Sequence, residues 1–219
     1  MSVLVYTESD QGHFKKVAFE VASYGKAVAN QLGTTVTAVT INAKDTSELG
    51  NYGVDKVLNI NNKAPETFNA KAYAAVIQQA AEKEGAKVVV VSSSVNSKYL
   101  APLLAINLNA GYATNVLETP SSTSPFIVKR TAFTSKAYEF FQINTDVKLL
   151  GVSKNTFGLV ENKTNCTSEE FSASIPDLGI HVDSVDKASN KVSIADADIV
   201  VSGGRGLKGP ENWGMIEEL

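Results

Sequence analysis

One cysteine, Cys166, stands in 219 residues. That excludes a disulfide within the chain and a metal site built on several cysteines. Histidine is nearly as scarce. His13 and His181 lie far apart, and neither sits in a His/Cys cluster with metal-ligand spacing. Excess positive charge is absent too, with 20 Lys and Arg against 23 Asp and Glu. The resulting net charge of −3 argues against nucleic acid or an anionic membrane as main partner. No segment approaches the roughly 20 apolar residues of a membrane span. The start, MSVLVYTESD, lacks the basic region and long apolar run of a signal peptide. A cytoplasmic protein is the expectation. What is present is globular composition, 43% hydrophobic and 20% charged, in a chain long enough for a full core.

Strand and helix patterns alternate through the first half. Residues 3–6 form an apolar run closed by Thr7, Glu8, Ser9 and Asp10, loop and cap types. Gly12 and His13 are read as opening a helix of about five turns. Val17, Val21, Tyr24, Val28 and Leu32 share one face. Ala18, Ala22, Gly25 and Ala29 make a neighbouring face of small residues suited to close packing on a sheet, and Gly33 is the C-cap. Residues 34–41, TTVTAVTI, are β-branched and predict a second strand. A short helix over 46–53 and a strand over 54–60 follow, then a polar loop over 61–68 containing Pro65. Residues 69–84 predict a helix with Tyr73, Val76, Ile77 and Ala80 inward, stopped by Gly85. Four valines at 88–91 fit a central parallel strand buried on both faces. After Ser92, Ser93 and Ser94 comes a helix carrying Leu100, Leu103, Leu104 and Leu108, with Pro102 read as near its first turn. This alternation implies a parallel sheet covered by helices.

The period changes after residue 110. Runs at 126–133, 136–143 and 147–153 read as strands with short turns, hence antiparallel hairpins added to the parallel core. Residues 161–195 are polar without helical period, and are read as a connection, partly extended. The expected division is an α/β domain at 1–160, the connection at 161–195, and the start of another domain at 196–219. That last stretch, DADIVVSGGRGLKGPENWGMIEEL, reads as a strand at 198–202, a glycine turn at 203–206, a polar lead and a helix start.

Several positions carry candidate chemistry. Gly203, Gly204, Arg205 and Gly206 would let backbone N–H groups approach a phosphate or flavin edge, with Arg205 as a planar cation. The same pattern also suits a plain tight turn with a solvated arginine. Gly204 to Gly209 has G-x-G-x-x-G spacing, but Pro210 rather than a helix body follows. Ser92–Ser94 could receive a phosphate at a helix N-terminus, although capping is the preferred reading. Gly12 and His13 occupy the comparable place after the first strand, where open α/β sheets bind ligands. His13 has no visible partner for general-base work, and His181 reads as exposed. Cys166 lacks neighbouring cations that would activate it. Glu169, Glu170, Glu217 and Glu218 read as solvated charges, and Trp213 as a packing anchor rather than a stacking platform. No catalytic set and no metal site is expected.

The run VVSGGRGLKGPENWGMIEEL strongly resembles the opening of the flavin domain of the electron transfer flavoprotein α subunit. VLVYTE, VVVVSSSVNSKYLAPLLAINLNAG and RTAFTSKAYEFF resemble successive parts of that subunit's N-terminal domain, so the likeness covers essentially the whole chain. It implies an adenine-nucleotide α-hydrolase-like domain followed by the first strand, turn and helix of a doubly wound FAD domain. It further implies a heterodimer with a β subunit and one FAD between the α subunit's C-terminal domain and β. Electrons would pass from dehydrogenases to a membrane quinone reductase; the protein would be a carrier rather than an enzyme. AMP in this family belongs to the β subunit. Arg205 matches the first FAD-contacting arginine, with Gly204 and Gly206 beside it as cofactor-binding positions. Because the family's α subunit continues past Leu219, this chain is expected to be truncated and to lack FAD by itself, since one strand and one helical turn cannot enclose a flavin. The alternative is a free-standing AMP- or ATP-binding module of the α-hydrolase-like or universal-stress type, using the Ser92–Ser94 and Gly12 loops. The two acids in TESDQGH count against phosphate there.

Overall fold

A computed structural model describes residues 2–61, 67–176, 178–180, 182–186, 194, 197 and 199–219. Pro65, His181 and Asp198, the first residue of the expected terminal strand, lie outside these. Two compact units result, Met1–Ile180 and His181–Leu219.

The first unit is built on one sheet of ten strands. In chain order it contains β1 (Ser2–Tyr6), β2 (Ser9–Asp10), β3 (His13–Phe14), α1 (Lys16–Leu32) and β4 (Thr35–Ile41). A 3-10 turn at Ser47–Asn51 leads to β5 (Lys56–Ile60), then α2 (Ala70–Glu84), β6 (Val88–Ser92) and α3 (Val95–Asn107). The second half holds β7 (Gly111–Val116), β8 (Ser122–Thr123), β9 (Phe126–Ala132), β10 (Ala137–Ile143), β11 (Lys148–Val152) and β12 (Thr167–Glu170).

The strand order is β10-β9-β7-β11-β6-β1-β4-β5-β12, with β8 on β9. From β7 to β12 every pairing is parallel, and β8, β9 and β10 add the antiparallel part. The expected mixed sheet is therefore observed. One strand differs from its expected partner type. The run at 147–153 is no hairpin arm; β11 inserts parallel between β6 and β7. Leu149, Leu150 and Val152 are buried, as a strand covered on both faces requires.

Both faces carry a core. On one, Val3, Val5, Ala38, Val57 and Val90 meet Val21, Tyr24 and Val28 of α1. On the other, Leu4, Val39, Leu58 and Val89 meet Val76, Ile77 and Ala80 of α2 and Leu100 and Leu104 of α3. The small face of α1 is where it approaches the sheet. A Cβ on Gly25 would stand 2.3 Å from Val5 Cγ1, so only glycine allows that approach. Leu32, expected inward, is 38% exposed at the helix end.

Three helix boundaries move. α1 begins at Lys16, because Gln11 and Gly12 take positive φ (51° and 88°) and turn residues 9–14 into a small hairpin. The helix expected at 46–53 is a five-residue 3-10 turn. Pro102 lies well inside α3 and is exposed, so the helix carries its proline on the outer face rather than in the first turn. Gly33 and Gly85 cap α1 and α2 in the left-handed conformation, as expected.

In the second unit, residues 199–202 form no strand, contrary to the sequence expectation. Ile199, Val200 and Val201 are exposed, and no strand pairs with them among the described residues. An apolar β-branched run becomes a strand only when a neighbour completes its ladder. Short 3-10 turns at Arg205–Leu207 and Pro210–Asn212 precede a four-residue helix, α4 (Gly214–Glu217).

Candidate functional site

Order reverses between β1 and β6, with β4 on one side of β1 and β6 on the other. The carboxyl ends of these strands are where an open α/β sheet places its ligand crevice. Beyond Val5, which faces Ala38 and Val90, the same sheet face continues with Thr7, Thr40 and Ser92, and Thr40 faces Asn59. All four are buried and make a polar row across the strand ends. Thr7 Oγ1 donates to the Val39 carbonyl at 3.3 Å, and Asn59 Nδ2 to the Ala43 carbonyl at 3.1 Å.

This edge is closed by the chain itself. Glu8, 4% exposed, follows β1, and its Oε1 accepts hydrogen bonds from the hydroxyls of Ser92 and Ser97, the latter at 3.1 Å. Ser94 caps α3 by accepting from the Ser97 N–H at 3.0 Å. The serine loop is thus engaged with a buried carboxylate and a helix cap. A phosphate there would meet negative charge in a low-dielectric setting. The β2–β3 hairpin extends the closure. Ser9 Oγ donates to the Ile41 carbonyl at 2.5 Å, and the Lys44 N–H to the Gly12 carbonyl at 3.0 Å. Gly12 is buried against the Lys44 side chain, and His13 is exposed on β3. Burial, with Glu8 and Tyr73 nearby, pushes the Tyr6 phenol well above its usual range. The Tyr73 phenol is pushed up to about 12, chiefly by burial.

A second buried carboxylate, Glu20 on α1, is 4% exposed. It accepts from the main-chain N–H groups of Asn155 (2.9 Å), Thr156 (2.9 Å), Phe157 (3.0 Å) and Gly158 (3.1 Å). It folds the chain after β11 onto α1. Neither Glu8 nor Glu20 was singled out by sequence, because nothing in a periodicity marks a carboxylate that receives its donors from remote segments. The only hint was the acidity of TESDQGH.

Other expectations sort as follows. Glu169 is exposed, as read, and it also bridges Lys56 Nζ (3.0 Å) and Lys83 Nζ. These lysines hold its carboxyl below the usual carboxylate range. Glu170, Glu217 and Glu218 are exposed. Cys166 is half-buried, and burial with nearby Asp55 pushes its thiol up, away from reactivity. Among the described residues no group of His, Cys, Asp or Glu could hold a metal ion, and no helix is long and apolar enough to cross a membrane.

The glycine turn stands in the second unit. Arg205 is exposed and opens the first 3-10 turn; Gly204 and Gly206 are exposed, with nothing near where a Cβ would be. Gly203 is the glycine of the turn that neighbouring side chains crowd. A Cβ there would meet Leu207 Cδ1 at 2.3 Å and Trp213 Cζ3 at 2.7 Å. Trp213 therefore packs within its own unit, against the turn. Asn212 Nδ2 donates to the Leu207 carbonyl at 2.8 Å and ties the two 3-10 turns together. No described residue of this unit is buried.

The electron transfer flavoprotein domain model matches residues 3–176, nearly all of the first unit. The chain belongs to the electron transfer flavoprotein domain family. It is similar to the electron transfer flavoprotein subunit alpha of Bacillus subtilis (strain 168), 27% identical over 99% of this chain and 68% of that protein. The subunit alpha of Syntrophomonas wolfei is 26% identical over 98% of this chain and 68% of its own length. Protein FixB of Escherichia coli O6:K15:H31 is 27% identical over 91% and 64%. The family match ends after β12, so the electron transfer flavoprotein domain includes that strand, while the glycine turn lies beyond the matched span.

Proposed function

We propose that this chain acts as the α-subunit side of a heterodimeric electron transfer flavoprotein. It would carry electrons from dehydrogenases to a respiratory acceptor through FAD and transform no substrate of its own. The observation that carries this reading is the family match over 3–176, together with similarity to subunits named alpha along 99% of the chain. In this reading the first unit is a scaffold that meets a β subunit. Its crevice is closed by Glu8 and the β2–β3 hairpin, which argues against the α-hydrolase-like nucleotide module.

The flavin contacts belong to the second unit. Arg205 supplies a permanent cation to the flavin or its phosphates, and Gly204 and Gly206 let the main chain come close. Binding pockets enclose most of their ligand. A turn with no buried residue does not, so tight FAD binding needs further protein surface, including that of the β partner. These residues hold and orient the isoalloxazine or diphosphate; bound FAD supplies the one- and two-electron chemistry.

Co-expression with an electron transfer flavoprotein β subunit tests the reading. The complex should show a flavin absorbance spectrum, and the 219-residue chain alone should not. Arg205→Ala should weaken FAD binding by roughly tenfold or more, with Arg205→Lys in between. Unchanged affinity in Arg205→Ala would remove Arg205 from the site. Calorimetric titration of the chain with AMP should give no heat of binding; micromolar affinity would reinstate the nucleotide-module reading.

A further inference from the structure

We propose that residues 161–176 form a releasable strap. In it β12 is a latch on the edge of the sheet, fastened by two lysines on one carboxylate, and its opening frees this stretch from β5. Four observations carry this. First, among the described residues β12 pairs on one side only, with β5, and all four of its residues are exposed. An edge strand with no covered face has little apolar burial holding it. Second, its fastenings are polar and local. Glu169 bridges Lys56 of β5 and Lys83 of α2, and Lys56 also meets Glu84 at 2.8 Å. Third, the ends are pinned separately. Thr164 N–H donates to the Gly50 carbonyl at 2.9 Å and its hydroxyl to the Val54 carbonyl. Past β12, Gln79 clasps the Ser174 main chain, accepting from its N–H and donating to its carbonyl, each at 2.8 Å. Fourth, what apolar contact exists is partial. Phe171, Ala173 and Ile175 are partly buried against the second core face and Cys166 against the first, and Lys83 Nζ lies 5.1 Å from the centre of the Phe171 ring.

The strap is held by charge pairs that salt screens, on an edge that the rest of the sheet does not need. β5 keeps its ladder to β4 when β12 leaves. Undocking frees roughly 16 residues, about 50 Å of extended chain at ~3.3 Å per residue. The strap thus has a docked and an undocked state, whatever the function of the chain.

Hydrogen exchange on the full chain without flavin tests the latch independently of that reading. The Thr167 and Phe171 amides, which donate to the Asp55 and Asn59 carbonyls, report the docked strap. At high against low sodium chloride they should exchange about tenfold faster, while β1 and β4 amides keep their protection. The Lys56→Gln/Lys83→Gln chain should show the same acceleration at low salt. Gln79→Ala, which touches only the far clasp, should accelerate Phe171 more than Thr167. Strap amides that exchange in step with β1 and β4, or that respond to neither salt nor substitution, overturn the proposal.

Discussion

Glu20 puts a carboxylate, 4% exposed, in front of four main-chain N–H groups from 155–158. Three of those donors share Oε1 and one takes Oε2. Glu20→Ala should lower unfolding free energy by about 2 kcal/mol in urea denaturation, because four partly buried main-chain N–H groups lose their shared acceptor. Glu20→Gln should cost about half as much. Its amide oxygen can serve the three donors, and its NH2 faces the fourth. A Gln variant as unstable as Ala would mean that charge, rather than acceptor geometry, holds this loop. At this scale the sequence was least legible. Glu8 and Glu20 look like any other acids until distant segments bring serine hydroxyls and loop amides to them. Ser94 was readable, since an N-cap needs only its own helix.

The body of α2 and the glycine C-caps of α1 and α2 were legible, because caps and apolar faces are local properties, whereas the start of α1 at Lys16 depends on the β2–β3 hairpin before it. Asn69 shows why. Its Oδ1 accepts from the Lys71 and Ala72 N–H groups at 3.0 and 3.1 Å, satisfying two donors that the helix leaves open. Asn69→Ala should cost about 1 kcal/mol, read as a lower urea midpoint with unchanged slope. A shift in slope instead would place the effect in the unfolded chain. Partner choice among strands was not local. The same apolar run that reads as a hairpin arm becomes the buried parallel strand β11. Residues 167–170, TSEE, carry no strand signal at all, and become β12 because the β5 edge and two lysines are there to receive them.

Over the whole molecule, burial of tyrosine sets an alkaline limit. Tyr6, Tyr24, Tyr73 and Tyr112 all have phenols raised above 10.0, each chiefly by burial, Tyr73 to about 12. The unfolded chain ionises these phenols near pH 10, and the folded chain holds their protons longer. Their contribution to stability is complete below pH 10 and is lost as pH rises toward the folded values. Thermal midpoints should therefore fall steadily between pH 10 and 12, and tyrosinate absorbance should rise in step with unfolding. Full ionisation of all 7 tyrosines with the fold intact would contradict the buried assignments.

The sequence by itself determined the alternating α/β plan, the helix caps, the absence of disulfide and cysteine-metal chemistry, and the family likeness that the match over 3–176 establishes. Those properties reside in neighbouring residues or in composition. The tertiary structure alone decided that the carboxyl-edge crevice is closed by Glu8, that Glu20 gathers the loop after β11, and that side chains crowd Gly203 rather than Gly204 or Gly206. It also decided that an acidic stretch becomes the last strand of the sheet. Each depends on which remote atoms supply a donor, a charge or a close contact, and a one-dimensional pattern carries no record of those distances.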